Sequence, residues 1–188
     1  MWVDSMRPEI VKIRSRFFVA VEGESEQSFV TWLQVLSEQE LHIHLDVVLL
    51  GGGGFKSMLQ KAVRLHKRRS RRGIYQDRFL ILDGDRAEQG DWTIEKLRRE
   101  AAQKKIIVCV QNPNHEGLLL RMMPDMEREI PDAASVEARL KNQWPAYQKP
   151  MNARALGRQF LLDDLLRVAN LDSDLKTLLK KIGLTGQP

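Results

Sequence analysis

At 188 residues, with 43% hydrophobic and 29% charged side chains, the chain has the size of one domain, or of a core carrying a helical appendage. No stretch approaches the ~18 apolar residues of a membrane span, and the N-terminus has no long apolar segment of the secretory kind, so neither a membrane partner nor export is expected. The single cysteine, Cys109, excludes an internal disulfide framework and fits a reducing cytoplasm, while the net charge of +5 points towards an anionic partner.

Residues 1–15 form a polar lead. The run Phe17–Val21 is apolar and rich in aromatic and β-branched side chains, which predicts a buried strand ending at Glu22. A helix is expected over 25–39, with Phe29, Val30, Leu33 and Leu36 at core spacing. A second strand over 42–50 leads into Gly51–Gly54, and a helix over 55–69 turns Met58, Leu59, Ala62 and Val63 inward. The glycine run is no Walker A loop, because no Gly-Lys-Ser/Thr follows it. It is either a mobile strand–helix connection or a place where backbone amides approach a phosphate. A third strand, Arg78–Leu82, ends at Asp83-Gly84-Asp85, and a helix over 93–104 precedes a fourth strand around Cys109. Beyond Pro124 the pattern is helical, with prolines 131, 145 and 150 as boundaries and apolar stripes over 153–169 and 171–182. The expected architecture is α/β: a mostly parallel sheet flanked by helices in residues 16–123, then a helical extension over 124–188.

In a parallel sheet the C-terminal ends of all strands share one edge. Glu22, Glu26, Asp83, Asp85 and Glu116 are therefore expected at one place. Carboxylates crowded together repel unless a divalent cation lies among them, and all-oxygen ligands suit Mg²⁺ or Mn²⁺. Between positions 56 and 72 the chain carries Lys56, Lys61, Arg64, Lys67, Arg68, Arg69, Arg71 and Arg72 with no acidic residue. Beside an acidic metal centre such a segment would hold the phosphates of a nucleic acid. The alternative is a solvated helix face.

Glu22-Gly23-x-x-Glu26 after one strand and Asp83-x-Asp85 after another resemble the two signatures of the TOPRIM fold of topoisomerases, primases, OLD-family nucleases and small defence-associated proteins. Asn112-Pro113-Asn114-His115-Glu116, followed by Gly117-Leu118-Leu119-Leu120, is similar to the Asn-Pro-x-x-Glu-x-x-Leu-Leu motif of RloB-like proteins. The likeness covers roughly residues 16–123. Two positions depart from it: His115 replaces an aromatic or apolar residue, and Gly117 replaces a larger apolar one.

The resemblance implies roles. Glu22 would be a primary metal ligand or a general acid/base, Asp83 and Asp85 metal ligands, and Glu26 a ligand of a second ion. Glu116 would support that ion or orient its water. Lys149, in Tyr147-Gln148-Lys149-Pro150, resembles a lysine near the scissile phosphate. Read from the residues themselves, Asn112 either caps the following helix or contacts a phosphate, and His115, beside Glu116, could donate to a scissile phosphate or act as a general acid. Glu24 reads as an exposed charge at a helix start. His42 and His44 share a strand face without a third ligand, so zinc is not expected. Trp32, Trp92 and Trp144 read as core or interface residues.

Together these point to a nuclease using about two Mg²⁺ or Mn²⁺ ions, as in two-metal phosphoryl transfer. Its substrate would be DNA, RNA or tRNA, and its setting prokaryotic anti-phage defence. A separate ATPase subunit is the partner implied by the OLD resemblance, and assembly, a dimer included, is left open. The rival readings are a non-catalytic TOPRIM subunit docked to such an ATPase, and an RNA-processing nuclease. Topoisomerase chemistry, which needs a nucleophilic tyrosine and strand-gating domains, and primase activity are not expected.

Overall fold

The computed structural model describes residues 14–38, 41–85 and 92–185; most of the N-terminal lead lies outside them. Its strands are β1 (Ser15–Val21), β2 (Ile43–Leu49), β3 (Arg78–Asp83) and β4 (Ile107–Gln111), all parallel in the order β2-β1-β3-β4. Helices α1 (Glu24–Glu38), α2 (Phe55–Arg69) and α3 (Ile94–Gln103) connect them, and α4 (His115–Met122) follows β4. The extension adds α5 (Val136–Gln143), α6 (Ala153–Gln159), α7 (Leu162–Ala169) and α8 (Ser173–Ile182). The α/β expectation, with a parallel sheet and a helical extension, holds.

Both faces of the sheet are covered, which is why β1, β3 and β4 read as apolar runs, while the edge strand β2, with His44 and Asp46, alternates at first. Phe17, Val19 and Val21 face a core shared with Phe79, Ile81, α1, α4 and the helices of the extension. Phe18 and Ala20 face the other core, with Leu80, Leu82, α2 and α3. The extension is therefore no detachable appendage. Trp32 is buried between Phe29 and Phe160, and Phe160 meets Trp144 edge-on at 5.6 Å. That cluster also explains a difference from expectation. The stripe over 153–169 is two helices, broken where Phe160 turns into the core and the Leu161 amide donates to Asp164.

Side chains occupy both open edges of the sheet, as edge strands require. On β2 the Leu45 N–H donates to Gln34 Oε1 at 2.6 Å. On β4 the Val110 N–H donates to Asp174 Oδ2 at 2.9 Å, and Arg98 donates to the Val108 carbonyl at 3.0 Å. Among the described residues no helix is long and apolar enough to cross a membrane.

Candidate active site

Register alone brings the acidic positions together. Val21 pairs with Ile81 and Asp83 with Gln111, so Glu22 and Asp83 emerge side by side from the two central strands. The Asp83 N–H donates to Glu22 Oε2 at 3.3 Å. Glu26 folds back over the start of α1, its Oε2 accepting the Gly23 N–H at 2.8 Å. Glu22 and Glu26 are both buried, whereas Glu24 is exposed as expected.

Asp83-Gly84-Asp85 does not stay extended. The strand ends at Asp83 and the chain turns, with Gly84 N–H donating to the Gln111 carbonyl at 2.9 Å and Asp85 N–H to the Pro113 carbonyl at 2.7 Å. Asp85 is exposed and reaches the start of α4 by accepting from Asn114 Nδ2 at 3.0 Å. Asn114, not Asn112, caps α4, its Oδ1 accepting the Gly117 N–H at 3.1 Å. The cap thereby links Asp85 to the helix that carries Glu116. Gly117 is explained by contact: a Cβ there would lie 2.6 Å from Pro113 Cδ and 3.1 Å from the Asn112 carbonyl oxygen. A larger apolar residue has no room.

Glu116 is buried and does not stand alone. Its Oε1 accepts from Tyr147 Oη at 2.7 Å and pairs with Lys149 Nζ at 2.8 Å. The extension thus delivers Lys149 to the carboxylates, with its side chain 51% exposed at the mouth. Tyr147 was missed as a site residue. Its signal was the spacing to Lys149, since residues two apart in an extended segment lie on one side.

A cleft of about 240 Å³ is lined by Glu22, Ser25, Glu26, Asp83, Lys149 and Pro150, with Gly23 and Glu24 at its rim; Asp85 and Glu116 stand outside this lining. A larger hollow, about 560 Å³, lies across the Asn112-Pro113 turn. Two of its arginines are already matched, Arg98 by Asp174 and Arg121 by Asp172, so it presents no convergent reactive set.

The electrostatics single out Asp83. Burial, then the charges of Glu26, Glu22, Asp85 and Glu116, push its carboxyl up to about 8. Burial would also raise Glu116, but the bonds from Lys149 and Tyr147 outweigh it and hold this carboxyl below the usual range. Lys149 is the complement: burial would lower it, but Glu116, with Asp83 adding, keeps it above the ordinary lysine value. Among the described residues no group of three or more acidic, histidine or cysteine side chains is placed to hold a metal ion as it stands. Each carboxylate other than Glu24 instead accepts from a protein donor nearby.

His115 and the basic segment both differ from expectation. The His115 imidazole is buried, meets Phe29 edge-on at 5.8 Å and approaches Gln111 Oε1 at 3.3 Å. Burial lowers its pKa despite the attraction of Glu26 and Glu116, and the ring is not among the side chains that line the cleft. What it lends is its backbone N–H, which donates to Asp83 Oδ1 at 2.9 Å.

The basic segment is not beside the cleft. Helix α2 starts at the carboxylate edge, where Lys61 Nζ donates to the Leu50 and Gly52 carbonyls, and runs back against the strand direction. It ends at the opposite edge, where Arg69 pairs with Asp46 and Arg16 donates to the Arg72 carbonyl. At ~1.5 Å per residue, its 15 residues separate the two ends by roughly 20 Å. Lys56 lies on the first turn near the cleft, Arg64 midway, and Lys67, Arg68, Arg71 and Arg72 at the far edge, all exposed. Arg69, itself exposed, is engaged differently: with Arg16 and the Tyr75 hydroxyl it surrounds the buried Asp46. In the glycine run the Gly51 and Gly52 N–H groups donate to the Glu22 carbonyl at 3.1 and 3.2 Å. Positive φ at Gly51, Gly52 and Gly53 accounts for the residue type there.

Comparison with protein-family models, curated proteins and solved structures finds no match for this chain.

Proposed function

We propose that the chain is a Mg²⁺- or Mn²⁺-dependent phosphodiesterase that cuts nucleic acid, a cytoplasmic TOPRIM-type, RloB-like nuclease of prokaryotic anti-phage defence. One observation carries this reading. Carboxylates from β1, α1 and the end of β3 meet at one edge with Lys149, and their repulsion helps push Asp83 up to about 8. A hard-oxygen donor set with excess negative charge fits a divalent cation better than it fits a core. Glu22, Glu26 and Asp83, which line the cleft, would hold it, and a bound cation would supply Lewis acidity and a more acidic water. Glu22, at the strand end, would take the proton of the attacking water. Lys149, kept charged by Glu116, would donate to a phosphate oxygen, and Tyr147 fixes Glu116 for that purpose.

A second reading has one observation in its favour. The Lys149–Glu116 pair and the donors already bound by each ligand-type carboxylate also suit a non-catalytic subunit that docks to a partner ATPase. A cleavage assay with plasmid, single strands and tRNA in Mg²⁺ and in Mn²⁺ separates them. Nuclease activity that disappears in Glu22→Ala supports the first reading. A folded, inactive wild type under every condition supports the second.

A further inference from the structure

The basic charge is not confined to α2. Parallel strands begin at one edge just as they end at the other, and the chain places cations at most of its strand starts. Arg16 opens β1, Arg78 opens β3, and Lys104-Lys105 precede β4. The end of α2 and the turn after it add Lys67, Arg68, Arg71 and Arg72. Arg78 donates to the Lys104 carbonyl at 3.2 Å, and Arg16 to that of Arg72 at 3.1 Å, so these groups share one surface. The described anions at this edge are already engaged. Asp46 is buried under Arg16, Arg69 and Tyr75, and Asp77 pairs with Lys181 at 3.5 Å. Among the described residues none of Lys67, Arg68, Arg71 and Arg72 has a carboxylate within ion-pair distance. The molecule therefore has two poles of opposite sign, roughly 20 Å apart along α2.

We infer that the basic pole is a second phosphate-binding surface, which grips the nucleic acid away from the carboxylate cleft and imposes a minimum substrate length. This rests on the nuclease reading above. On the nuclease reading the cleft takes the phosphodiester that is cut, so cations at the opposite edge serve only a strand that extends across the molecule. At ~3.4 Å per stacked nucleotide, the separation corresponds to about six nucleotides. Arginine predominates among these cations, as bidentate phosphate recognition favours. An anionic membrane is the poorer fit, because Ile74 alone offers an exposed apolar side chain at this described edge.

The test measures binding of labelled 4-mer and 20-mer single strands to the wild-type chain in EDTA, where no cutting interferes, over a series of salt concentrations. The 20-mer is expected to show the steeper log–log salt slope. The variant K67Q/R68Q/R71Q/R72Q should bring the 20-mer slope down to that of the 4-mer, by about 0.7 for each phosphate no longer neutralised. R68K/R71K/R72K should restore most of it, which excludes misfolding as the cause. Arg69 is left in place because it holds Asp46. Equal slopes for both lengths in the wild type, or an unchanged slope in the glutamine variant, overturn the second surface while leaving cleavage to stand by itself. Loss of binding to polyglutamate, with oligonucleotide binding intact, overturns it in favour of an acidic protein partner. Failure to bind or cut any nucleic acid removes both readings together.

Discussion

Asp83 is the residue on which most of the proposed chemistry converges. It lies between two buried glutamates and accepts the His115 N–H, and its carboxyl is pushed up to about 8 from an ordinary value of 3.8. Because the folded pKa is raised, the folded chain keeps a proton that the unfolded chain gives up. This contribution to stability is full below about pH 4 and is lost as pH rises towards 8, with a slope of at most ~1.4 kcal/mol per pH unit. Urea unfolding in EDTA at pH 5, 6, 7 and 8 should show it, and Asp83→Asn, an uncharged mimic, should lack it. The same substitution should abolish divalent-dependent cleavage without lowering metal-free stability at pH 7; wild-type activity in it would sink the metal-site account. Gly117 makes a separate prediction. Adding a Cβ 2.6 Å from Pro113 Cδ forces α4 away from the turn, so Gly117→Ala should cost about 1–3 kcal/mol by urea unfolding. An unchanged midpoint would show that the turn yields freely.

At the scale of elements, strands were more legible than the parts that join them. Three apolar runs and one partly alternating segment predicted the four strands, and the acidic residues that closed the first and third strands marked the carboxylate edge. Direction was harder to read. The basic helix looked adjacent to the carboxylates because it is close in sequence, yet a helix between parallel strands must run back, and this one is as long as the sheet is deep. Tyr147 comes from an irregular segment in which only its two-residue spacing to Lys149, already singled out by the resemblance, gave a signal. Asp174 was invisible, since nothing local to α8 announces that its carboxylate accepts from the edge of β4. Asp174→Ala should leave the Val110 N–H without its acceptor and Arg98 with only the Val108 carbonyl, at about 1–3 kcal/mol. Amide exchange at Val110 should speed up while that of β1 does not; unchanged exchange would mean the edge is protected by something else.

For the molecule as a whole, the extension and the sheet are one folding unit. Helices α5 to α8 complete the core over α1 and α4, and the same extension supplies Tyr147 and Lys149 to the cleft. A chain ending at residue 123 should therefore expose that core, bind a hydrophobic dye and lose cooperative unfolding; a cooperative transition in it would separate the two parts. The fold sets carboxylates at one pole and cations at the other, and the central claim concerns the first pole. Its most direct test is calorimetric titration of Mn²⁺ into the metal-free chain at pH 7, in two buffers of different ionisation heat. The wild type should bind and release about one proton, the one held by Asp83, because a ligand carboxylate must be ionised. Asp83→Asn should bind more weakly and release none. Absence of binding in the wild type, or binding unaltered in both Asp83→Asn and Glu22→Gln, would contradict the assignment of these strand-end carboxylates to a cation.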